Sequence, residues 1–158
     1  MKEPSRLVST VDIQGLPPRW RHLKGRLEAA SRMLFRSHTV ESYALSVTFV
    51  TDRRIAHLNR QALGRKGPTD VIAFDVSEAG LPYDVVGDIY ISIDRARVNS
   101  RAFRVNESEE ILRLVVHGVL HLVGYSDQGA QAKRRMERAQ EIVVKRLTAR
   151  LPRARAPR

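Results

Sequence analysis

The stretch Ile111-Leu112-Arg113-Leu114-Val115-Val116-His117-Gly118-Val119-Leu120-His121-Leu122 decides how this chain folds. A helix drawn through it is apolar on nearly every side, so it must be a buried central helix with other elements packed around it. Asn106 stands just before it as an N-cap with Glu109 three residues on, a capping-box-like arrangement. Gly124 follows where a C′ glycine stops a helix. The pattern predicts a helix over 107–122. His117 and His121 are four residues apart on it. Four residues turn an α-helix by about 400°, so both rings project from one face, one turn apart. That is the geometry of a two-histidine metal grip. A lone histidine here would read as a satisfied core residue, but a pair at this spacing reads as ligands. Asp127 is the candidate third ligand, because Gly124-Tyr125 lets the chain reverse. Glu110, two turns before His117, is the alternative; otherwise it faces solvent or caps. The HExxH pattern is absent: the place of its general base is Gly118, which has no side chain. Gly118 instead lets a strand or a substrate approach closely.

Working outward, a last helix is predicted from about Ala130 to Arg146, with Ala132, Met136, Ala139, Val143 and Leu147 as its core stripe. Upstream, strands are predicted over Leu7–Ile13, Tyr43–Val50, Val71–Val76 and Val85–Ile93, the last two as a hairpin around Gly80-Leu81-Pro82. Helices are predicted from Pro18, from Thr51 or Asp52 through Asn59, and from an Asp94 cap. The first carries Trp20, Leu23, Leu27, Ala30 and Leu34 inward. The third carries Arg95, Arg97, Arg101 and Arg104. Trp20 and Phe35 read as core rather than as base-stacking platforms. His22, His38 and His57 lack metal spacing and read as surface residues. After Glu141 the sequence has no acidic residue, and Arg150, Arg153, Arg155 and Arg158 are interleaved with Pro152 and Pro157. Residues 150–158 are therefore expected to be a disordered basic tail open to a polyanion, leaving 1–149 as one domain.

Composition narrows the chemistry. The chain has 158 residues, which fits one domain, and a net charge of +11, which points to a polyanionic partner, nucleic acid first. It has no cysteine, so disulfides and thiolate ligands are excluded and any metal must be held by His, Asp or Glu. No apolar run is long enough for a membrane span, and Met1-Lys2-Glu3-Pro4-Ser5 opens no apolar leader. A soluble cytoplasmic protein with no membrane partner is expected. Gln61 to Pro68 forms a glycine-bearing basic loop. Asp70 has two readings: it orients a ligand histidine or acts as a general base, or it caps the turn into the third strand. Asp88, a charge inside a strand, reads as a residue that orients a ligand from behind or makes a structural hydrogen bond, rather than a catalytic one.

His117-Gly118-Val119-Leu120-His121-Leu122-Val123-Gly124-Tyr125 closely resembles the HGxLHLxGYDH signature of the YbeY family, bacterial endoribonucleases of rRNA maturation. Pro68-Thr69-Asp70-Val71-Ile72-Ala73-Phe74 is similar to that family's PTDVLSF segment, preceded at the right distance by Leu58-Asn59. Gly87-Asp88-Ile89-Tyr90-Ile91-Ser92 is similar to its GDIxIS strand. Met136 and Gln140-Glu141 match weaker features of its last helix. The likeness runs from about residue 41 to 146.

The resemblance implies an α+β fold: a small mixed four-stranded sheet packed with about five helices, with the metal site on helix 107–122. It implies a zinc-dependent endoribonuclease of rRNA maturation and ribosome quality control, holding one zinc ion. The partners implied are rRNA in the small ribosomal subunit, ribosomal proteins and a ribosome-associated GTPase. The family's third histidine ends GYDH; Asp127 stands there in this chain, giving the ligand set His117, His121 and Asp127, and a carboxylate is a competent zinc ligand. The family's arginine before the PTDV segment is Leu63, leaving Arg60, Arg65 and Lys66, with Asp70, as catalytic candidates. The serine of LSF is Ala73. Two other readings stand beside the nuclease: a metal-stabilised ribosome assembly or RNA-binding factor with little nuclease activity, and a hydrolase of a non-RNA substrate, which the net charge argues against.

Overall fold

The computed structural model describes residues 8–149. Leu7, the first residue of the expected opening strand, and the whole basic tail 150–158 lie outside them. In order along the chain come β1 (Thr10–Gln14), a 3-10 turn (Pro18–Leu23), α1 (Lys24–Ser37), β2 (Tyr43–Val50), α2 (Asp52–Leu63), β3 (Val71–Asp75), β4 (Val85–Ser92), α3 (Ile93–Ala102), α4 (Glu107–Leu122) and α5 (Ala130–Thr148). The sheet order is β1-β2-β4-β3. β1 and β4 each pair parallel with β2, while β3 and β4 pair antiparallel as the expected hairpin. The fold is α+β, with five helices on a mixed four-stranded sheet.

Period-two burial fixes which face of the sheet is the core. Tyr43, Leu45, Val47 and Phe49 of β2 alternate inward, and the register places Val85, Gly87, Ile89 and Ile91 of β4 beside them. α4 lies at the centre of the molecule, touching α1, α3, α5, β3 and β4. Its sides carry Ile111, Val115, Val116, Val119 and Leu120, all out of solvent. Trp20 and Phe35 belong to the same core, as expected.

Glycine sets how close α4 comes to the sheet. A Cβ on Gly118 would lie 2.8 Å from one Ile89 methyl and 2.9 Å from the other, and a Cβ on Gly87 would lie 2.4 Å from a Leu122 methyl. Helix and strand thus meet through two missing side chains. It is the strand, of the two partners expected at Gly118, that uses the space.

Capping holds the ends. The Asn106 side chain accepts from the Glu109 N–H at 2.8 Å, and Glu107, Glu109 and Glu110 place negative charge at the positive end of α4. Gly124, at φ +104°, carries the chain out of the helix. At α2 the cap is Thr51, and the helix runs on past Asn59 to Leu63. At α3 the cap is Ser92 rather than the expected Asp94. β4 runs straight into α3 with no loop, so the strand's last residue caps, and the Asp94 carboxylate accepts from the Asp52 N–H instead, at 2.8 Å. Asp52 in turn accepts from the Ser92 hydroxyl and the Arg95 guanidinium, which ties the starts of α2 and α3 together.

Candidate metal centre

On α4 the two histidine rings stand edge to face, with Nε2 of His117 and Nε2 of His121 3.1 Å apart. The Asp127 Oδ2 atom is 3.5 Å from His121 Nε2. One ligand atom from each of the three residues falls within 4.8 Å of the others. The loop that returns Asp127 is pinned where it leaves the helix, with the Tyr125 N–H donating to the Leu120 carbonyl at 3.0 Å.

Tautomers follow from the partners. His117 Nδ1 faces the Gln140 side-chain oxygen at 2.9 Å, and His121 Nδ1 faces the Tyr125 backbone oxygen at 3.2 Å. A backbone carbonyl only accepts, so His121 Nδ1 must carry the proton, and His117 Nδ1 carries it too with the Gln140 amide oxygen turned toward it. Each neutral ring then presents an Nε2 lone pair toward the other. Two acceptors at 3.1 Å repel unless a proton or a metal ion lies between them. Burial, together with neighbouring His117, holds the His121 imidazole below its ordinary pKa against the opposing pull of Asp127, which favours the neutral ring. Two ligands each about 2 Å from a tetrahedral ion stand about 3.3 Å apart. The His117–His121 and His121–Asp127 separations fit that, and the donor set of two imidazoles and one carboxylate can hold a metal ion.

Two clefts meet at this point. One, of about 740 Å³, is lined by Phe103, Glu110, Arg113, Lys133 and Gln140 among others. The second, of about 410 Å³, is lined by Leu63, Arg65, Ala73, Leu122 and Gln128 among others. Asp70, Val71, His117 and Asp127 belong to both. Arg65 alone of the three basic candidates reaches either lining; Arg60 and Lys66 are exposed and line neither. Leu63 fills the cleft wall where the resemblance placed an arginine.

Asp70 is half-buried, its Oδ1 accepting from the Val71 N–H at 2.9 Å and its Oδ2 from the Asn99 amide at 3.2 Å. The capping geometry is thus present, at a position that also borders both clefts. Asp88 lies half-buried in β4 between Ser46 and Phe74 and lines neither cleft.

Glu110 neither caps nor faces solvent, and it is not among the three clustered groups. It is 1% exposed and accepts from Arg113 at 3.1 Å and Asn99 at 3.3 Å. Burial raises its pKa, although Arg113 and Asn99 pull the other way. His22 and His57 are exposed as expected, whereas His38 is half-buried, its ring edge-on to Tyr125 at 5.6 Å. On α3, Arg95 is engaged by Asp52 and Arg97 lies over the Trp20 ring, so of its arginines only Arg101 remains exposed, while Arg104, expected on this helix, lies beyond its end at Ala102 with φ +54°. Sequence reasoning did not find the partner of His117. Gln140-Glu141 stood out in α5, but nothing in its spacing said which side chain it would meet.

The comparisons agree on one family. The model described as "Endoribonuclease YbeY" matches residues 20–148. A protein of Parabacteroides distasonis named Endoribonuclease YbeY is 38% identical over 93 residues, covering 59% of this chain and 63% of that one. One of the same name from Treponema pallidum (strain Nichols) is 33% identical over 141 residues, covering 85% of this chain and 86% of its own. Among solved structures, the solution structure of TM1509 from Thermotoga maritima superposes with a TM-score of 0.63 at 26% identity, covering 89% of this chain and 90% of that one.

Proposed function

The chain belongs to the endoribonuclease YbeY family, and from that premise we propose that it is a zinc-dependent endoribonuclease of rRNA maturation and ribosome quality control, working in the cytoplasm on the small ribosomal subunit. The observation that carries this reading is the convergence of two imidazole lone pairs and one carboxylate oxygen at the meeting of two open clefts. His117, His121 and Asp127 are the ligands in this reading, with a fourth position left for water or substrate. The ion, when bound, supplies Lewis-acid polarisation of a phosphoryl oxygen or acidification of a water. The domain spans 1–149 and the basic tail 150–158 offers a second contact to RNA. Ribosomal proteins and a ribosome-associated GTPase complete the expected partners.

The chain's own residues do the rest. A net charge of +11 draws the phosphate backbone, with an affinity that falls steeply with salt. Arg65, which lines the second cleft, holds a phosphate beside the ligands. Asp70, on the wall shared by both clefts, is the general-base candidate. Arg65→Glu is expected to lower kcat/KM on RNA by about tenfold to a hundredfold, the scale of a lost charge-assisted hydrogen bond. Zinc content should be unchanged, and Arg60→Glu should have a much smaller effect. Equal losses from the two variants, measured in parallel kinetics, would remove the special role of Arg65.

A second reading, an assembly or RNA-binding factor with little nuclease activity, is favoured by one observation: Leu63 lines the cleft beside the ligands, where it offers no charge to a phosphate. Zinc-replete protein incubated with a structured rRNA fragment separates the two. Cleavage that a chelator stops and zinc restores supports the nuclease. Tight, salt-sensitive binding with intact RNA supports the assembly factor.

A further inference from the structure

Gln140 sits on α5, two turns from its C-terminal end, with its side chain 9% exposed and pressed against α4. A primary amide is ambiguous by shape: either its oxygen or its nitrogen can face a given neighbour. The surroundings of Gln140 remove the ambiguity. On one side its nitrogen lies 3.5 Å from the Glu141 carboxylate, which only accepts. That carboxylate is fixed in turn by Arg113, which donates to it from Nε at 2.8 Å and from Nη2 at 3.3 Å. Arg113 is itself anchored on α4 by Glu109 at 2.8 Å and by buried Glu110 at 3.1 Å. The contact at 3.5 Å is long, but the reversed amide would set its oxygen against a carboxylate. The amide nitrogen therefore belongs on the Glu141 side, and its oxygen on the His117 side.

The consequence reaches the metal centre. An oxygen at 2.9 Å from His117 Nδ1 requires the proton there and leaves Nε2 with its lone pair. The reversed amide would donate to Nδ1, move the ring proton to Nε2 and block the atom that faces His121.

We propose that Gln140 is a positioning residue: its amide, oriented by Glu141 and Arg113, sets the tautomer and the aim of His117. This rests on the metal reading above. It adds that α5, which supplies no ligand, controls how well α4 binds the ion.

The test is zinc affinity by chelator competition, together with the ring-nitrogen NMR signature of His117 in the metal-free wild type. Gln140→Met keeps the length of the side chain but has no comparable acceptor, and it should bind zinc about 10–100-fold more weakly, the scale for losing such a partner. Gln140→Glu, made in a Glu141→Gln background so that two carboxylates do not face each other, keeps the acceptor and should stay within a few-fold of wild type. Glu141→Gln, at a half-exposed position, frees the amide to reverse and should fall between the two. The wild-type protein should show the Nδ1–H tautomer at His117. Wild-type affinity in Gln140→Met, or an Nε2–H tautomer in the wild type, overturns the proposal while leaving the metal reading intact. Failure of the wild type to bind zinc removes the metal reading and the proposal with it. Should Gln140→Met not fold, the wild-type tautomer and the Glu141→Gln affinity decide.

Discussion

His117→Ala is expected to abolish RNA cleavage, by about a thousandfold or more, while RNA binding changes by no more than a few-fold. What this substitution removes is the His117 ring. Its Nε2 atom stands 3.1 Å from His121 Nε2, and with Asp127 it completes the only group of three clustered His or acidic ligands among the described residues. Without it, two donors remain, too few to hold an ion firmly under chelating conditions. Several kcal/mol of transition-state stabilisation are lost with the ion, and each 1.4 kcal/mol is about tenfold in rate. Binding survives because it depends on a distributed positive charge that this substitution does not touch. The fold survives because the ring is half-buried at a cleft; the main cost is an unpaired Gln140 oxygen, about 1 kcal/mol. His57→Ala, at an exposed site on α2, is the matched control and should leave cleavage unchanged. Full cleavage by His117→Ala would mean that the site is not the catalytic centre.

The second large effect is on stability. Gly118→Val should destabilise the protein by about 3 kcal/mol, because a side chain there meets Ile89 at 2.8 Å and 2.9 Å before any branching is added. For a domain of this size that is a fall in Tm of about 6–12 °C. Gly118→Ala should cost less, since alanine favours a helix over glycine by about 1 kcal/mol and offsets part of the crowding. The cause can be isolated with a double-mutant cycle. Ile89→Ala alone opens a cavity in the core and destabilises, but combined with Gly118→Val the two losses should be less than additive. Thermal melts of the four proteins give the answer; strict additivity would show that the clash is not between these two residues.

The central helix and its caps were legible in the sequence because they are local. Asn106, the apolar run and Gly124 mark both ends of α4 within a single stretch, and the i, i+4 spacing of the histidines fixes their common face without tertiary information. The hairpin of β3 and β4 was legible for the same reason. Asp127 was within reach because only Val123-Gly124-Tyr125-Ser126 separates it from the end of the helix.

What sequence could not supply came from elements that meet only in space. Gln140 lies 23 residues beyond His117 and reaches it because α5 packs back on α4. Glu110 was read as an alternative ligand, or else as facing solvent or capping. Arg113 one turn on and Asn99 from α3 make its burial tolerable, and neither partnership has a sequence signature. His38 was set aside for want of metal spacing, yet its contact is with Tyr125 on the loop that carries Asp127. Of the arginines expected on the helix after Ser92, two hold the fold together through Asp52 and Trp20, contacts that the sequence does not announce.

Metal content per chain, measured by elemental analysis after zinc loading and dialysis, tests the central claim most directly. The expected result is one zinc per wild-type chain, almost none in His121→Ala, and a value in Asp127→Ala that falls as the competing chelator is raised. Wild-type protein without zinc, or His121→Ala retaining the full amount, would contradict the account; unchanged affinity in Asp127→Ala would contradict the assignment of the third ligand.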